Sequence, residues 1–150
     1  MKPLLFLLKT NDDLAPLIAR VVLGVVIFPH GAQKALGWFG GYGFSGTIDF
    51  FATQWHISAP LALLAIAAEF VGPLGLVAGF LARVAAFAIA VNMIVAIVVV
   101  HDQYGFFVNW FGNQKGEGFE YHLLALALAA IVILQGAGKC SLDRLLTRPA

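Results

Sequence analysis

The feature that most constrains the fold of this chain is a series of four long apolar stretches, at residues 14–36, 60–81, 84–101 and 119–138. A helix that crosses the hydrocarbon core of a bilayer needs about 20 apolar residues. Hydrophobic residues make up 61% of the chain and charged residues 11%, a balance that soluble domains, about half apolar, do not have. The sequence predicts an all-α integral membrane four-helix bundle, with residues 1–150 forming one transmembrane domain in the lipid bilayer.

The connection between the first two stretches predicts a short additional helix. It is rich in glycine at its start, and residues 45–54 then form an amphipathic pattern with Ile48, Phe50 and Phe51 on the apolar side. Such a helix is too short to span a membrane, so we expect an interfacial or re-entrant lid in the first outer loop. A tight turn around Ala82 and Arg83 makes the second and third helices antiparallel neighbours.

Lysine and arginine residues are concentrated on the side of the chain termini. That side carries Lys2, Lys9, Arg83, Lys139, Arg144 and Arg148, and the other side carries Lys34 and Lys115. Cytoplasmic loops of membrane proteins carry an excess of these residues. We therefore predict a multi-pass protein of the bacterial inner membrane with both termini in the cytoplasm. The formal net charge is only +1, which does not indicate a nucleic-acid partner.

Ionisable residues inside the apolar stretches are the candidate functional residues, because charge at membrane depth is costly and usually functional. His30 and Lys34 are four residues apart and share one face of the first helix, and Glu69 lies near the middle of the second stretch. At about 1.5 Å per residue, these side chains lie in the outer half of the bilayer, near Glu120 at the start of the fourth helix. We predict an acid–base cluster of catalytic residues, namely His30, Lys34, Glu69 and Glu120.

Further polar and aromatic residues are predicted to bind substrate, namely Arg20, Gln33, Trp38, Asn92 and His101. Arg20 has two interpretations, because its side chain can extend to the near membrane surface or face the bundle interior. His101 lies nine residues beyond Asn92, on the opposite face of an ideal helix, and joins the cluster only if the helix ends or bends first. His122 lies off the face of Glu120 and is not included.

The same residues also have structural explanations. Asn92 can hydrogen-bond between helices, and Glu69 can pair with His30 or Lys34 purely to hold the bundle together. All tryptophans and tyrosines fall on the side of the two long connections, where they either cover a site or anchor the loops in the headgroup region. The single cysteine, Cys140, excludes an intramolecular disulfide and a CxxC motif, and the sequence predicts no metal site.

Several motifs, in order along the chain, resemble those of the DoxX family of small four-helix membrane proteins. The matching stretches are Arg20 with Leu23-Gly24, Pro29-His30-Gly31-Ala32-Gln33-Lys34, Ala67-Ala68-Glu69-Phe70-Val71-Gly72, Leu81-Ala82-Arg83, Val100-His101 and Gly116-Glu117-Gly118-Phe119-Glu120-Tyr121-His122. The resemblance covers about residues 14–146. It implies that the polar residues of the family stand at Arg20, His30, Lys34, Glu69, Asn92, His101 and Glu120. His122 stands where the family pattern has asparagine.

The family is named for a subunit linked with a thiosulfate:quinone oxidoreductase, and other members are linked to redox homeostasis. The resemblance therefore implies a redox-associated membrane component. An acid–base cluster beneath aromatic loops is suited to hold a quinone-like lipophile and to exchange protons with it; the cofactor is otherwise unknown, and catalytic activity as an oxidoreductase subunit is an open question. One alternative is a non-catalytic subunit that docks a partner subunit or a second copy of itself. The other is a small-solute or proton transporter, although the sequence has no evident inverted repeat.

Overall fold

A computed structural model describes residues 7–147, and all regular secondary structure within that range is helical. The helices are α1 (Leu14–Leu36), α2 (Gly43–Gln54), α3 (Ala59–Ala78), α4 (Ala82–Ala96), α5 (Glu120–Gln135) and α6 (Leu142–Thr147). A π-helical turn (Ile97–His101) and a 3₁₀ turn (Asp102–Tyr104) extend α4. Three helices, α1, α3 and the extended α4, are long and apolar enough to cross a membrane, and α5 is a shorter apolar helix. The predicted all-α membrane bundle is confirmed.

The four long helices close into a ring. Helices α3 and α5 each pack against both α1 and α4. Small and aliphatic side chains fill the interior, among them Leu23 and Ile27 of α1, Ile89 of α4 and Val132 of α5. Small residues let helix backbones approach closely in membrane bundles, so a polar side chain that points inward can reach partners on other helices.

Glycines on α1 allow its close approach to α3. A Cβ atom added at Gly31 would overlap the backbone carbonyl of Glu69, and one added at Gly24 would lie 3.0 Å from the carbonyl oxygen of Pro73. No side chain fits between the two backbones at position 31. The residues next to Gly31 on α1 therefore lie at the level of Glu69 on α3.

Two helices end earlier than the predicted spans because a glycine with positive φ follows them. Helix α3 ends at Ala78 rather than at residue 81, since Gly79 has a φ of 68°. Helix α5 ends at Gln135 rather than at residue 138, since Gly136 has a φ of 86°. Only glycine adopts such angles without a steric penalty. A tight turn joins α3 and α4 as predicted, but it lies at residues 79–81, and Ala82 and Arg83 already belong to α4.

The predicted short helix of the first long connection is α2, which packs on α1 and α3. Its buried residues are Thr47 and Phe51. The hydroxyl of Thr47 donates to the carbonyl oxygen of Lys34 at 3.2 Å, which fastens α2 to the last turns of α1. Helix α2 is therefore a lid over that end of the bundle.

The two ends of the bundle differ in how the chain covers them. We call the end with the long connections, residues 37–58 and 102–119, the loop end. We call the opposite end, with the turn at 79–81, the segment 136–141 and α6, the terminal end. Lys2 and Arg148, which were counted for the orientation, lie outside the described residues. The other basic residues of that count, namely Lys9, Arg83, Lys139 and Arg144, lie at the terminal end.

Candidate functional site at the loop end

Glu69 joins three helices at the loop end of the bundle. It is buried, and its carboxylate Oε2 forms an ion pair with Nζ of Lys34 on α1. Its other oxygen, Oε1, accepts a hydrogen bond from Nδ2 of Asn92 on α4 at 2.5 Å. Pairing is what makes a buried carboxylate tolerable, because an isolated ion in a low-dielectric interior is very unfavourable. The structure thus brings Lys34, Glu69 and Asn92 together.

Helix α5 faces this group with two polar atoms that lack partners. Within residues 7–147, Tyr121 Oη and His122 Nδ1 are buried side-chain atoms without a hydrogen bond. The ring of Tyr121 lies 6.0 Å from the ring of His30, measured between centroids, and His122 is only 6% exposed. Buried polar atoms are nearly always hydrogen-bonded in native proteins, so two exceptions side by side mark this wall as a place where a ligand or water can bind.

His101 joins the same region because the helix changes its pitch before reaching it. The π-helical turn at Ile97–His101 takes up more residues per turn than an α-helix and rotates His101 towards α5. Its ring lies 4.1 Å from that of His122 between centroids. Its Nδ1 donates to the carbonyl oxygen of Glu117 at 2.7 Å, which leaves Nε2 as the acceptor of a neutral ring. The bend that sequence analysis required for His101 is therefore present.

These residues form a cluster with contributions from all four helices of the ring. We call it the loop-end cluster, and its members are His30, Lys34, Glu69, Asn92, His101, Tyr121 and His122. The side chain of His30 is exposed, whereas those of Glu69 and His122 are buried. No three His, Cys, Asp or Glu side chains of the described chain are grouped so that they could hold a metal ion.

Glu120 does not meet His30 or Lys34, contrary to the prediction. Its carboxylate accepts hydrogen bonds from the backbone N–H of Val108 at 3.1 Å and from Nε1 of Trp110 at 3.2 Å. Glu120 is the first residue of α5, so its side chain reaches the preceding loop rather than the bundle interior. Its observed contacts are with the second long connection, not with the cluster.

Gln33 and Trp38 lie beside the cluster rather than within it. Nε2 of Gln33 donates to the carbonyl oxygen of Phe39 at 3.3 Å. With Lys34, Gln33 lines a cavity of about 250 Å³ beneath the lid helix α2. Trp38 is 53% exposed and contacts Phe39 edge to face, and it does not line that cavity. The cavity leads from the lid to Lys34.

Arg20 lies at the opposite end of the bundle and is not part of the cluster. Of its two interpretations, the inward one is correct, since the side chain is only 1% exposed. Its guanidinium donates to the carbonyl oxygens of Leu76, Val77, Ala137, Lys139 and Cys140, at distances of 2.7 to 3.0 Å. A guanidinium has five N–H donors, so all of them are used, and none remains for a substrate.

Arg20 belongs to a terminal-end network with Arg83 and Asp143. Arg83 donates to the carbonyl oxygens of Lys9, Ile133 and Leu134, and so binds the last turn of α5. Asp143 accepts from the N–H groups of Leu81 and Ala82, at 2.7 and 3.0 Å, where α4 begins. Burial raises the pKa of the Asp143 carboxyl, an effect that these N–H groups, Arg20 and Arg83 oppose. The network satisfies backbone groups that helix ends leave unpaired.

Sequence analysis missed Tyr121 and His122. His122 was left out because it lies on a different face of the helix from Glu120. In the structure, Glu120 itself points towards the loop and not into the bundle. The sequence did contain an indication of the contact between His101 and His122, because both residues lie at the loop-end termini of neighbouring helices. Helical spacing within one helix could not reveal that contact, which depends on the π-helical turn.

The sequence model of the DoxX family matches residues 15–102, more than half of the 150-residue chain. The chain belongs to the DoxX family. The match covers α1 to α4, and with them His30, Lys34, Glu69, Asn92 and His101. Tyr121 and His122, on α5, lie outside it. Membership agrees with the helical membrane bundle described above.

Among known proteins, the chain is similar to an uncharacterized protein of Haemophilus influenzae (strain ATCC 51907 / DSM 11121 / KW20 / Rd). The two are 28% identical over 141 residues, which cover 88% of this chain and 83% of the relative. No solved structure is significantly similar to the chain.

Proposed function

We propose that this DoxX-family protein binds a quinone-like lipophile in the loop-end cluster and serves as a redox-associated component of the membrane. The observation that carries the proposal is a buried carboxylate, Glu69, bonded to Lys34 and Asn92, opposite two buried polar atoms without partners on α5. A purely structural pair would leave no unsatisfied donors beside it, whereas a binding site for a hydrogen-bonding ligand would.

The chemistry of the cluster suits a quinone head group. A quinone offers two carbonyl oxygens as acceptors on a flat apolar ring. The hydroxyl of Tyr121 can donate to such oxygens, and so can Nδ1 of His122 in the tautomer that carries its hydrogen there. Lys34 and Asn92 supply further donors from the other side. The surrounding apolar bundle suits the ring and its lipid tail, and pockets of this kind combine a few polar groups with apolar walls.

Protons are the second part of the proposal. Reduction of a quinone to a hydroquinone adds two electrons to the ring and one proton to each carbonyl oxygen. We assign the proton exchange to Glu69 and His30, because a protonated carboxyl group and an imidazolium can each release one proton to the head group and later regain it. The electrons would come from an electron-donating partner protein. Lys34 would orient the head group and stabilise negative charge on it.

The binding experiment uses purified protein in lipid nanodiscs and a short-chain ubiquinone as the probe. Quenching of the tryptophan fluorescence reports binding, because Trp55 lines the cavity that reaches Lys34. We expect Glu69→Gln to weaken binding about tenfold, because Lys34 loses the charged partner that holds it in place beside the head group. The matched control is Asp49→Asn, an exposed carboxylate on the lid helix, which should bind like wild type. If wild type bound no quinone, or Glu69→Gln bound it equally well, we would abandon the proposal.

A second candidate, a non-catalytic subunit that docks a partner, is favoured by the second long connection. Phe107, Trp110 and Phe111 of this loop are 63%, 77% and 90% exposed, while Glu117 and Glu120 hold the loop backbone in place. Exposed aromatic groups on an ordered loop are typical of interfaces. A photocrosslinker at position 111 should then give a protein adduct of defined mass in native membranes. Adducts with lipid alone would contradict this candidate.

We also propose that the protein lies in the bacterial inner membrane with both termini in the cytoplasm, on the basis of its basic residues. Cys140 is exposed at the terminal end and is the single cysteine. A membrane-impermeant maleimide should therefore leave intact spheroplasts unlabelled and should label inverted vesicles. A Lys115→Cys variant in a Cys140→Ser background should show the opposite pattern. Labelling of Cys140 from outside would reverse the proposed orientation.

A further inference from the structure

A groove of about 830 Å³ lies at the terminal end, far from the loop-end cluster. It is bounded by the start of α4, the end of α5 and the segment before α1. Its walls are apolar: Phe87 of α4 is 61% exposed and Leu134 of α5 is 76% exposed, with Val84 and Ile133 beside them. The volume falls in the range of small-molecule sites, about 300–1,000 Å³.

The mouth of the groove carries an exposed lysine, Lys9. Arg83 is held at the same place because its Nη2 donates to the carbonyl oxygen of Lys9 at 3.1 Å. The acidic residues that precede α1 are engaged elsewhere: Asp12 pairs with Arg144 at 2.5 Å, and Asp13 accepts from Asn11. The ammonium group of Lys9 is therefore presented next to an apolar channel between two membrane helices.

We propose that this groove is a binding site for a phospholipid with an anionic head group. The phosphate would lie against the ammonium group of Lys9, and the first part of an acyl chain would run between Val84 and Phe87 on one side and Leu134 on the other. Basic pockets between membrane helices at one face of the bilayer are known to select anionic lipids. The positive charge at the mouth is complementary to the anionic head group, and the apolar walls inside are complementary to the acyl chain.

Native mass spectrometry of the full chain tests the site, with dioleoyl phosphatidylglycerol as probe and the zwitterionic phosphatidylcholine as comparison. We expect the wild-type protein to retain more phosphatidylglycerol than phosphatidylcholine. Lys9→Gln should weaken its binding about fivefold, the effect of one surface charge. Val84→Trp, which fills the groove, should weaken binding of both lipids. Lys115→Gln, at the loop end and beyond the screening length, should leave binding unchanged.

Three results would overturn the proposal. Equal retention of the two lipids would exclude a selective site. Equal losses for Lys9→Gln and Lys115→Gln would indicate general attraction to the charge of the protein. Normal binding by Val84→Trp would show that lipid does not enter the groove. Arg83 is left intact in all variants because it also binds the end of α5, and an Arg83 variant could fail to fold.

Discussion

Both ends of this helix bundle bury charged side chains, but these side chains have different partners. At the terminal end, all five N–H groups of the Arg20 guanidinium donate to backbone carbonyl oxygens. Asp143 accepts hydrogen bonds from the backbone N–H groups where α4 begins. At the loop end, Glu69 meets only side chains, those of Lys34 and Asn92. Backbone partners are fixed by the fold, whereas side-chain partners can rotate and exchange with a ligand. Under the proposed function, the partners of a buried charge, rather than its burial, distinguish a structural charge from one that binds a ligand.

The first test of this comparison is Arg20→Met, with the largest expected loss of stability. The change leaves carbonyl oxygens at the end of α3 and in the segment after α5 without their donors, and we expect a loss of about 4 kcal/mol in the free energy of unfolding. Denaturant unfolding in mixed micelles measures it. Arg144→Met is the control, because Arg144 pairs with the exposed Asp12, and it should lose at most about 1 kcal/mol. Equal losses in the two variants would remove the contrast between the ends.

Gly31→Ala should have the next largest effect, because it acts on both stability and the site. The added methyl group would overlap the backbone carbonyl of Glu69, so α1 and α3 must separate, at a cost of about 1–3 kcal/mol. Separation also moves Lys34 away from Glu69, and quinone affinity should fall with stability. The comparison variant is Gly72→Ala, whose methyl group would meet the flexible side chain of Ile89 at 3.3 Å. If Gly31→Ala were as stable as wild type, the close approach of α1 and α3 would be wrong.

His122→Phe sharpens the comparison in the opposite direction. Because Nδ1 of His122 is buried without a partner, replacing the ring by an apolar one should leave stability unchanged or raise it by about 1 kcal/mol. Ligand affinity should nevertheless fall, since a donor in the site is lost. The control is His56→Asn at an exposed position whose φ of 53° suits asparagine, and it should affect neither quantity. A loss of more than about 2 kcal/mol in His122→Phe would mean that this ring holds the fold, as Arg20 does.

The smallest expected effect is on the pH dependence of stability, through Asp143. Burial raises the pKa of its carboxyl in the folded protein above the ordinary value of 3.8. The folded state is therefore favoured most when Asp143 is protonated, and stability falls as the pH rises through the raised pKa. Asp143→Asn should flatten the stability profile in the range just above about pH 4. An unchanged slope would show that the carboxyl does not titrate in that range.

Much of the bundle follows from hydrophobic patterning, because only helices can satisfy the backbone in a membrane over such long apolar stretches. The pairing of Lys34 with Glu69 was also within reach, since both residues lie at one depth. The orientation of Glu120 was not, because it depends on where α5 begins. The terminal-end role of Arg20 was hidden too, since its partners are carbonyl oxygens from α3 and the segment after α5, which no side-chain pattern marks. His101 required a π-helical turn, which apolar residues 97–100 do not reveal.

The most direct test of the account measures quinone affinity in nanodiscs for the folded fraction of three proteins: wild type, Glu69→Gln and Arg20→Lys. The account predicts that Glu69→Gln stays folded but binds about tenfold more weakly. Arg20→Lys should be clearly less stable, while its folded fraction binds like wild type. If Glu69→Gln bound like wild type, or if folded Arg20→Lys lost affinity to the same extent, the assignment of ligand binding to the loop end and of fold maintenance to the terminal end would be contradicted.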